Sequence, residues 1–212
     1  MSTIEQTLKA KSITPSHVAF IGPDLSVLGK ETQFDYISLS AQIKPIINKL
    51  INAGTTQFVT NAEQGFSQVI FWSIDSVITD LRLHDTINNS LCIPFMQQSD
   101  NWDDSGTFGR TLYSKLKAFA NNITCAQTVS DDASPETKHD ALLAADRAMI
   151  DRSDILVTAL PSYDMDCAGR EVKSAITYAR NMNKPVLAMI YSITTDYRNI
   201  NTMCITEFAL IK

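Results

Sequence analysis

The chain has 212 residues, of which 44% are hydrophobic and 19% are charged, a balance typical of a packed globular domain and not of a disordered segment. Its formal net charge of −5 gives no broad positive field to attract a nucleic-acid backbone, so non-specific nucleic-acid binding is not expected. No apolar run approaches the roughly 20 residues that span a bilayer, and the first residues lack the apolar core of a signal peptide, so we expect a cytoplasmic protein without a membrane partner.

Short apolar runs alternate with helical patterns along most of the chain. Strands are predicted over residues 17–22, 55–60, 91–95, 123–129, 154–161 and 184–192. Helices are predicted over residues 36–53, 65–83, 107–121, 135–151 and 169–182. Ser134 and Pro135 suit the cap and first turn of the fourth helix, and Pro45 is expected either to kink the first helix or to mark its true first turn.

This alternation suits right-handed βαβ crossovers and predicts an α/β fold, a Rossmann-like three-layer domain with a mostly parallel sheet covered by helices on both faces. We expect the domain to span residues 17–192, with an N-terminal extension over residues 1–16. Residues 193–212 form a C-terminal extension whose weaker pattern leaves a strand, a helix and a partner-binding tail all open. In such folds ligands bind beyond the carboxyl ends of the strands, so the loops that follow strands are the candidate sites.

The predicted helix 65–83 is apolar on more than one side. Its apolar residues cover more surface than one face of a sheet would bury. Because large exposed apolar patches are rare on monomers, we expect this helix to form a homodimer interface.

The four cysteines are widely spaced and form no C-x-x-C pair, so neither a structural metal site nor a disulfide framework is expected. The three histidines are predicted to have surface or capping roles at a strand start, a helix end and a loop, in the order His17, His84 and His139. The sequence also has no P-loop and no G-x-G-x-x-G motif, which argues against ordinary NTPases and NAD-dependent dehydrogenases.

Two loops that follow strands carry residues suited to a ligand. In the first, Gly22 permits a tight strand exit and Asp24 can accept a hydrogen bond from a ribose or a base, although an ordinary βα turn also explains them. In the second, Thr60, Asn61 and Gly65 surround the start of a helix, where free N–H groups attract a phosphate or carboxylate. Capping of that helix by Asn61 or Ser67 is the alternative interpretation.

Two further loops are less specific. After the third strand, Trp102 either forms a pocket wall together with a glutamine pair or anchors the loop to the core. Between the fifth strand and its helix, Asp166, Arg170 and Glu171 lie close in sequence, where paired carboxylates suit acid–base chemistry but an exposed acidic loop is also consistent. No base is apparent that would activate Cys167 as a nucleophile.

Four ordered segments, IGPDLSVLG, TNAEQGFS, IPFMQQSDNW and DRAMIDRSDILV, resemble the SLOG superfamily, and within it the YpsA/YspA-like group most closely. The agreement includes Gly22, Leu28 and Gly29 in the first segment and Gly65 and Phe66 in the second. It extends over about residues 17–190. The resemblance implies a Rossmann-like fold, frequent homodimerisation and a pocket for a nucleotide-type ligand, but no settled reaction, since the superfamily contains enzymes, sensors and DNA-binding members.

The chain departs from the superfamily's phosphoribohydrolases, the LOG proteins, at the positions that matter for catalysis. Ala145 stands where the LOG pattern has an arginine, and Arg147 lies two positions away. PSYDMDCAGRE replaces the PGGxGTxxE motif, which leaves Glu171 out of register with the acid of that motif. The chain also departs from the family pattern in the first loop, where a basic or aromatic residue usually follows the glycine and Pro23 and Asp24 stand instead. The resemblance therefore implies ligand binding without LOG-type catalysis.

We accordingly predict that the protein binds or senses a small nucleotide or a nucleotide-derived ligand, without a metal or other cofactor. The predicted contacts are Gly22, Pro23, Asp24, Thr60, Asn61, Gly65, Phe66, Trp102, Ser162 and Gly169. One alternative is a hydrolase of N-glycosidic bonds, in which Glu171 or Asp166 assists departure of the base and Arg170 or Arg147 holds the phosphate. Single-stranded DNA binding of the DprA kind is a second alternative, which the acidic charge disfavours.

Overall fold

The computed structural model describes residues 8, 13–28, 34–104, 106–130, 132–162 and 168–211. The predictions for Gly29, Asp166 and Cys167 fall outside these residues. The described strands are β1 (His17–Ile21), β2 (Gln57–Thr60), β3 (Asn88–Ile93), β4 (Asn122–Cys125), β5 (Ile155–Leu160), β6 (Val186–Thr195) and β7 (Asn201–Ile211). The helices are α1 (Tyr36–Asn52), α2 (Phe66–Leu81), α3 (Arg110–Phe119), α4 (Pro135–Arg152) and α5 (Arg170–Asn181), and a single helical turn covers Leu25–Leu28.

The strands form one sheet in the order β4-β3-β2-β1-β5-β6-β7. All neighbouring strands pair in parallel except β6 and β7, which are antiparallel. The strand order reverses between β1 and β5, and ligands of open α/β sheets bind beside such a reversal. The predicted α/β fold with a mostly parallel sheet is confirmed.

Helices cover both faces of the sheet because residues of the central strands are apolar on both sides. On one face, α1 and α2 pack against alternate residues such as Phe20 and Val157. On the other face, α4 and α5 pack against the residues between them, such as Ile21 and Leu156. All six residues of β5 are buried, as expected of a central strand in a parallel sheet.

The helix starts follow the local sequence. The Ser134 hydroxyl accepts a hydrogen bond of 3.2 Å from the Thr137 N–H at the start of α4, as predicted for an N-cap. Asp35 caps α1 in the same way through the Ser38 N–H, at 3.0 Å. Pro45 lies inside α1, so it does not mark the first turn of that helix.

The end of α4 is held by a side chain from another element. The Lys184 ammonium group, just before β6, donates to the backbone carbonyls of Ile150, Asp151 and Ser153 at 2.7, 2.7 and 2.6 Å. These carbonyls lie at the negative end of the helix dipole, where a cation is favourable. Lys184 therefore fixes α4 against the amino edge of the sheet.

The segment after residue 192, whose packing the sequence leaves open, extends β6 and adds the strand β7. Gln42 of α1 holds this strand by two hydrogen bonds of 2.8 Å, donating to the Met203 carbonyl and accepting from the Ile205 N–H. The last strand is therefore bound to both a neighbouring strand and a helix.

The apolar helix α2 is mostly covered within the chain. It packs on the sheet in the same core as α1, and Phe71 joins a smaller cluster with Tyr113 and Leu116 of α3. The large apolar side chains that stay exposed on α2 are Trp72 at 43% and Leu81 at 51%, with Trp72 edge-on to Phe119. Contacts within the chain therefore bury most of the apolar residues of α2. The predicted homodimer interface is reduced to the small exposed patch of Trp72 and Leu81.

Candidate ligand-binding site at the carboxyl edge of the sheet

Three segments meet where β1, β2 and β5 end. The first follows β1 and contains Gly22, Pro23 and Asp24, the second runs from Asn61 to Gly65 after β2, and the third is the start of α5 at Gly169. A Cβ atom on Gly65 would lie 3.1 Å from Leu25, and one on Gly169 would lie 3.8 Å from Val27. The turn Leu25–Leu28, which continues the first segment, therefore lies between the second and third segments.

Gly22 is required by its neighbour Phe66. A Cβ atom at Gly22 would overlap the Phe66 ring, and that ring has no exposed surface. Phe66 was predicted to contact a ligand, but the structure places it wholly in the core, where it packs against the backbone of the first loop. Thr60 is also fully buried, and its hydroxyl oxygen has no hydrogen-bond partner among the described residues.

The loop after β2 has an unusual backbone that its own side chains stabilise. Ala62 has a φ of 57°, a left-handed conformation that costs a non-glycine residue about 1 kcal/mol. The Asn61 Oδ1 atom accepts from the Glu63 N–H at 3.0 Å, and Gln68 donates to the Ala62 carbonyl at 3.3 Å. This backbone directs Asn61 and Glu63 to the carboxyl edge.

Asp146 is a buried carboxyl group of α4 that faces this loop. The Asn61 amide donates to its Oδ1 atom at 2.9 Å, and the side chain is only 3% exposed. Its Oδ2 atom is buried without a hydrogen-bond partner among the described residues. Burial raises the pKa of Asp146 to about 8, and the nearby charges of Glu63 and Glu171 act in the same direction, while the Asn61 hydrogen bond opposes them.

Glu63 is held from the opposite side by a chain of polar groups. Tyr113 donates from its hydroxyl to Gln98 Oε1 at 3.0 Å, and Gln98 donates from its amide to Glu63 Oε2 at 2.9 Å. Burial raises the pKa of Glu63 to about 7; the Gln98 hydrogen bond lowers it, and the charges of Asp24 and Glu171 raise it. Burial also raises the pKa of Tyr113, so its hydroxyl stays a donor.

Glu171, in the first turn of α5, forms an ion pair with His139 of α4 when that histidine is protonated. The distance between Glu171 Oε1 and His139 Nδ1 is 3.6 Å. His139 Nε2 is buried and has no hydrogen-bond partner among the described residues. The prediction that His139 lies in a loop is wrong, because α4 begins at Pro135 and carries it on a face that meets α5.

Carboxyl groups from four separate segments thus lie close enough to influence one another. We call them the acidic edge, defined as Asp24, Glu63, Asp146 and Glu171. Asp24 also starts the turn Leu25–Leu28, since its Oδ1 atom accepts from the Val27 N–H at 3.3 Å. Among the described residues, no group of three histidine, cysteine, aspartate or glutamate side chains is arranged to hold a metal ion.

Arg147 and Arg170 lie together in a different place. They line an open cleft of about 350 Å³ along the outer side of α4 and α5, which also includes Lys173. The Arg147 guanidinium lies 5.6 Å from the centre of the Tyr178 ring, further along α5. The cleft begins at Arg170, directly before Glu171, so its positive end borders the acidic edge.

The remaining predicted residues take different positions. Trp102 packs edge-on against Tyr113 at 5.1 Å between ring centres and belongs to the cluster around α3, so it anchors its loop. Ser162 and Gly169 lie half-exposed at the carboxyl edge, after β5 and before α5. Gln98 belongs to the glutamine pair considered with Trp102, and it lies between Tyr113 and Glu63. Glu63, His139 and Asp146 were missed as site residues, because no local motif marks them.

The reversal of strand order beside polar loops defines a Rossmann-like α/β protein with a polar site at the carboxyl edge of its sheet. The sequence profile of the YspA SLOG family matches residues 24–197. The chain belongs to this family, as the resemblance of its four segments implied. No curated protein matches the chain, and none of the described helices is both long enough and apolar enough to cross a membrane.

Proposed function

We propose that the protein binds a small nucleotide or nucleotide-derived ligand at the carboxyl edge, in a binding or sensing role without LOG-type catalysis. The observation that carries this proposal is the fixed hydrogen-bonded array of Asn61, Glu63, Asp146 and Gln98 beside the reversal of strand order. Membership of the SLOG family supports a nucleotide-related role of this coarse kind.

The proposed ligand lies with its base and ribose on the acidic edge. Asp24 and Glu171 accept hydrogen bonds from ribose hydroxyls, and Ser162 and Gly169 line the approach. Pro23, which was predicted to contact the ligand, is buried. A phosphate group then points to the starts of α2 and α5, whose N-caps Gly65 and Gly169 offer no side-chain cap, so their N–H groups can bind an anion. Arg170 lies in the same first turn of α5 and supplies positive charge.

One observation favours an enzyme as a second candidate function. A carboxyl group with a pKa near 7, such as Glu63, is suited to act as a general acid at neutral pH. Hydrolysis of an N-glycosidic bond would need this proton on the departing base, and water would add to the sugar carbon with loss of its own proton to Glu171 or His139. Base and sugar phosphate would then be released.

One experiment on the purified full chain distinguishes the two functions. Mass spectrometry identifies co-purified small molecules, and thermal shift measures binding of adenosine, guanosine, cytidine and uridine monophosphates. A ligand at 100 times its Kd should stabilise the protein by about 2.7 kcal/mol. An intact ligand supports binding or sensing, whereas free base and sugar phosphate support the hydrolase.

The binding site is tested with Asn61→Ala and Glu171→Gln, and with Asp85→Asn as a matched control. Asp85 is an exposed carboxylate before β3, at the opposite edge of the sheet. We expect the first two variants to lose the ligand-induced shift and the control to keep it. Undiminished binding by both site variants would place the ligand elsewhere and contradict the proposal.

A further inference from the structure

We infer that Glu63 and Asp146 remain protonated in the ligand-bound state and donate hydrogen bonds from their carboxyl O–H groups to acceptor atoms of the ligand. Binding is then linked to the uptake or retention of protons. This inference rests on the proposed function and specifies the chemistry that the site selects.

The hydrogen bonds of the two amide side chains locate the protons. Asn61 accepts from the Glu63 N–H through Oδ1, so its NH₂ group must face Asp146; Gln98 accepts from Tyr113 through Oε1, so its NH₂ group must face Glu63. Asp146 Oδ1 and Glu63 Oε2 are therefore acceptors. A proton on either carboxyl group is carried by the other oxygen, Asp146 Oδ2 or Glu63 Oε1.

Asp146 Oδ2 is the clearest sign of a missing partner. It belongs to a residue that is only 3% exposed, and no described group hydrogen-bonds to it. A buried polar atom without a partner costs about 1–3 kcal/mol. A ligand acceptor at this position would remove that cost.

The surrounding charges favour the protonated forms. Asp24 after β1 and Glu171 of α5 are negative neighbours, and Tyr113 of α3 and Cys92 of β3 are neutral ones. His139 of α4 is a potential cation, and it faces Glu171. Two further negative charges in this partly dry environment would be poorly compensated, in agreement with the raised pKa values of Glu63 and Asp146.

The consequence is selectivity for a particular kind of ligand surface. Carboxyl O–H groups match carbonyl oxygens and unprotonated ring nitrogens, both of which occur along the edges of nucleobases. They reject a group that offers only hydrogen-bond donors, since two donors would then face each other. Ionised carboxylates would select the opposite chemistry.

Affinity should therefore fall with rising pH once the protons are lost. Affinity falls by up to about tenfold per pH unit for each proton that the complex needs. We propose calorimetry of the full chain with the four nucleoside monophosphates at about pH 6 and about pH 9, in buffers of different ionisation enthalpy. The expected results are weaker binding at the higher pH and net proton uptake in the intermediate range.

Neutral isosteres separate proton donation from charge. Asp146→Asn and Glu63→Gln carry a permanent NH₂ donor, so we expect binding at the lower pH to be kept and its pH dependence to be reduced. Asp146→Leu removes the donor and should lose at least tenfold in affinity. If the Asn and Gln variants bind at neither pH although they are folded, or wild-type affinity is the same at both, the inference is wrong.

Carboxyl ¹³C NMR of the ligand-free protein gives a readout that needs no ligand. Titrations of Glu63 and Asp146, assigned with the Gln and Asn variants, should have midpoints above the ordinary range for carboxyl groups. Ordinary acidic midpoints would overturn the inference but leave the proposed function standing. Failure of every nucleotide to bind at either pH would instead overturn the proposed function, and with it the ligand contacts inferred here.

Discussion

The Asn61 side chain, at the end of β2, donates a hydrogen bond of 2.9 Å to Asp146 of α4, 85 residues further along the chain. This bond crosses the carboxyl edge of the sheet and joins the loop after β2 to the helix that covers the opposite side of the site. It also satisfies one oxygen of a carboxyl group that is almost completely buried.

Replacing Asn61 with leucine should leave Asp146 without its remaining partner. The buried carboxyl group then loses its hydrogen bond, and we expect the free energy of unfolding to fall by about 1–3 kcal/mol. Urea unfolding measures the change, with the exposed residue Asn101→Ala as the control. A loss confined to a few tenths of a kcal/mol, as at the control position, would show that the bond contributes little.

Gly22→Ala should destabilise the protein by about 1–3 kcal/mol, because the added methyl group overlaps the Phe66 ring and forces the core to move. Gly169→Ala is the matched control, since a Cβ atom there meets its nearest atom at 3.8 Å. The smaller ring-free side chain of Phe66→Leu should partly relieve the overlap, so the double variant should be more stable than the sum of the two single effects predicts. Simple additivity would contradict this packing relationship.

The stability of the folded chain should depend on pH through Asp146 and Glu63. Their folded pKa values, about 8 and about 7, are raised above the ordinary values of 3.8 and 4.5. Between the unfolded and the folded pKa values, the folded state binds more protons than the unfolded state. The free energy of unfolding therefore falls as pH rises from about 4 to about 8. Each proton contributes a slope of at most about 1.4 kcal/mol per pH unit.

Unfolding by urea at about pH 5 and about pH 8 measures this dependence. Asp146→Asn should flatten the profile and make the variant relatively more stable at the higher pH. Asp35, Asp154 and Asp196 have lowered pKa values, so their contribution is lost only in more acidic solution, and it does not mask the effect. A wild-type profile that rises with pH over the same interval would contradict the prediction.

Lys184→Met should lower the free energy of unfolding by about 1–3 kcal/mol, because the carbonyls that end α4 lose a charged donor. Arg180→Met removes a positive charge from the exposed side of α5 nearby and serves as the control. Chemical unfolding followed by circular dichroism compares the two. Equal losses would mean that charge in this region matters, and not the three hydrogen bonds.

The predicted homodimer can be tested at Trp72. We expect the wild-type chain to sediment as a dimer and Trp72→Glu to sediment as a monomer, since a charge on the exposed patch of α2 opposes association. Analytical ultracentrifugation gives the mass, and Tyr197→Glu, at an exposed aromatic residue in the β6–β7 turn, controls for added charge. A wild-type protein that sediments as a monomer would contradict the prediction of a homodimer.

The layers and most strands were predictable because their apolar periodicity is local. β5 is a continuous apolar run, and Ser134 with Pro135 marks the start of α4. β7 was not predictable, since its residues are mostly only half-buried at the edge of the sheet, and its pairing with β6 and Gln42 is decided by contacts distant in sequence.

The site was predictable only where it follows a strand. Position after a strand indicated Asp24 and Asn61, and a cluster of charged residues after β5 indicated Glu171. Asp146 and His139 lie within α4, where their spacing resembles that of an ordinary polar helix face, and only the packed structure turns them towards the edge. The tertiary neighbours that dehydrate Glu63 are likewise invisible in its local sequence.

The antiparallel course of β7 has a practical consequence for binding studies. Ile211 pairs with Val186 at the beginning of β6, so β7 ends at the amino edge of the sheet, across the molecule from Asp24 and Asn61. A biotin or affinity tag joined after this strand would attach the protein to a sensor surface through the amino edge of its sheet. The carboxyl edge, where we propose that the ligand binds, would face the solution, and tethering would leave diffusion to it unobstructed.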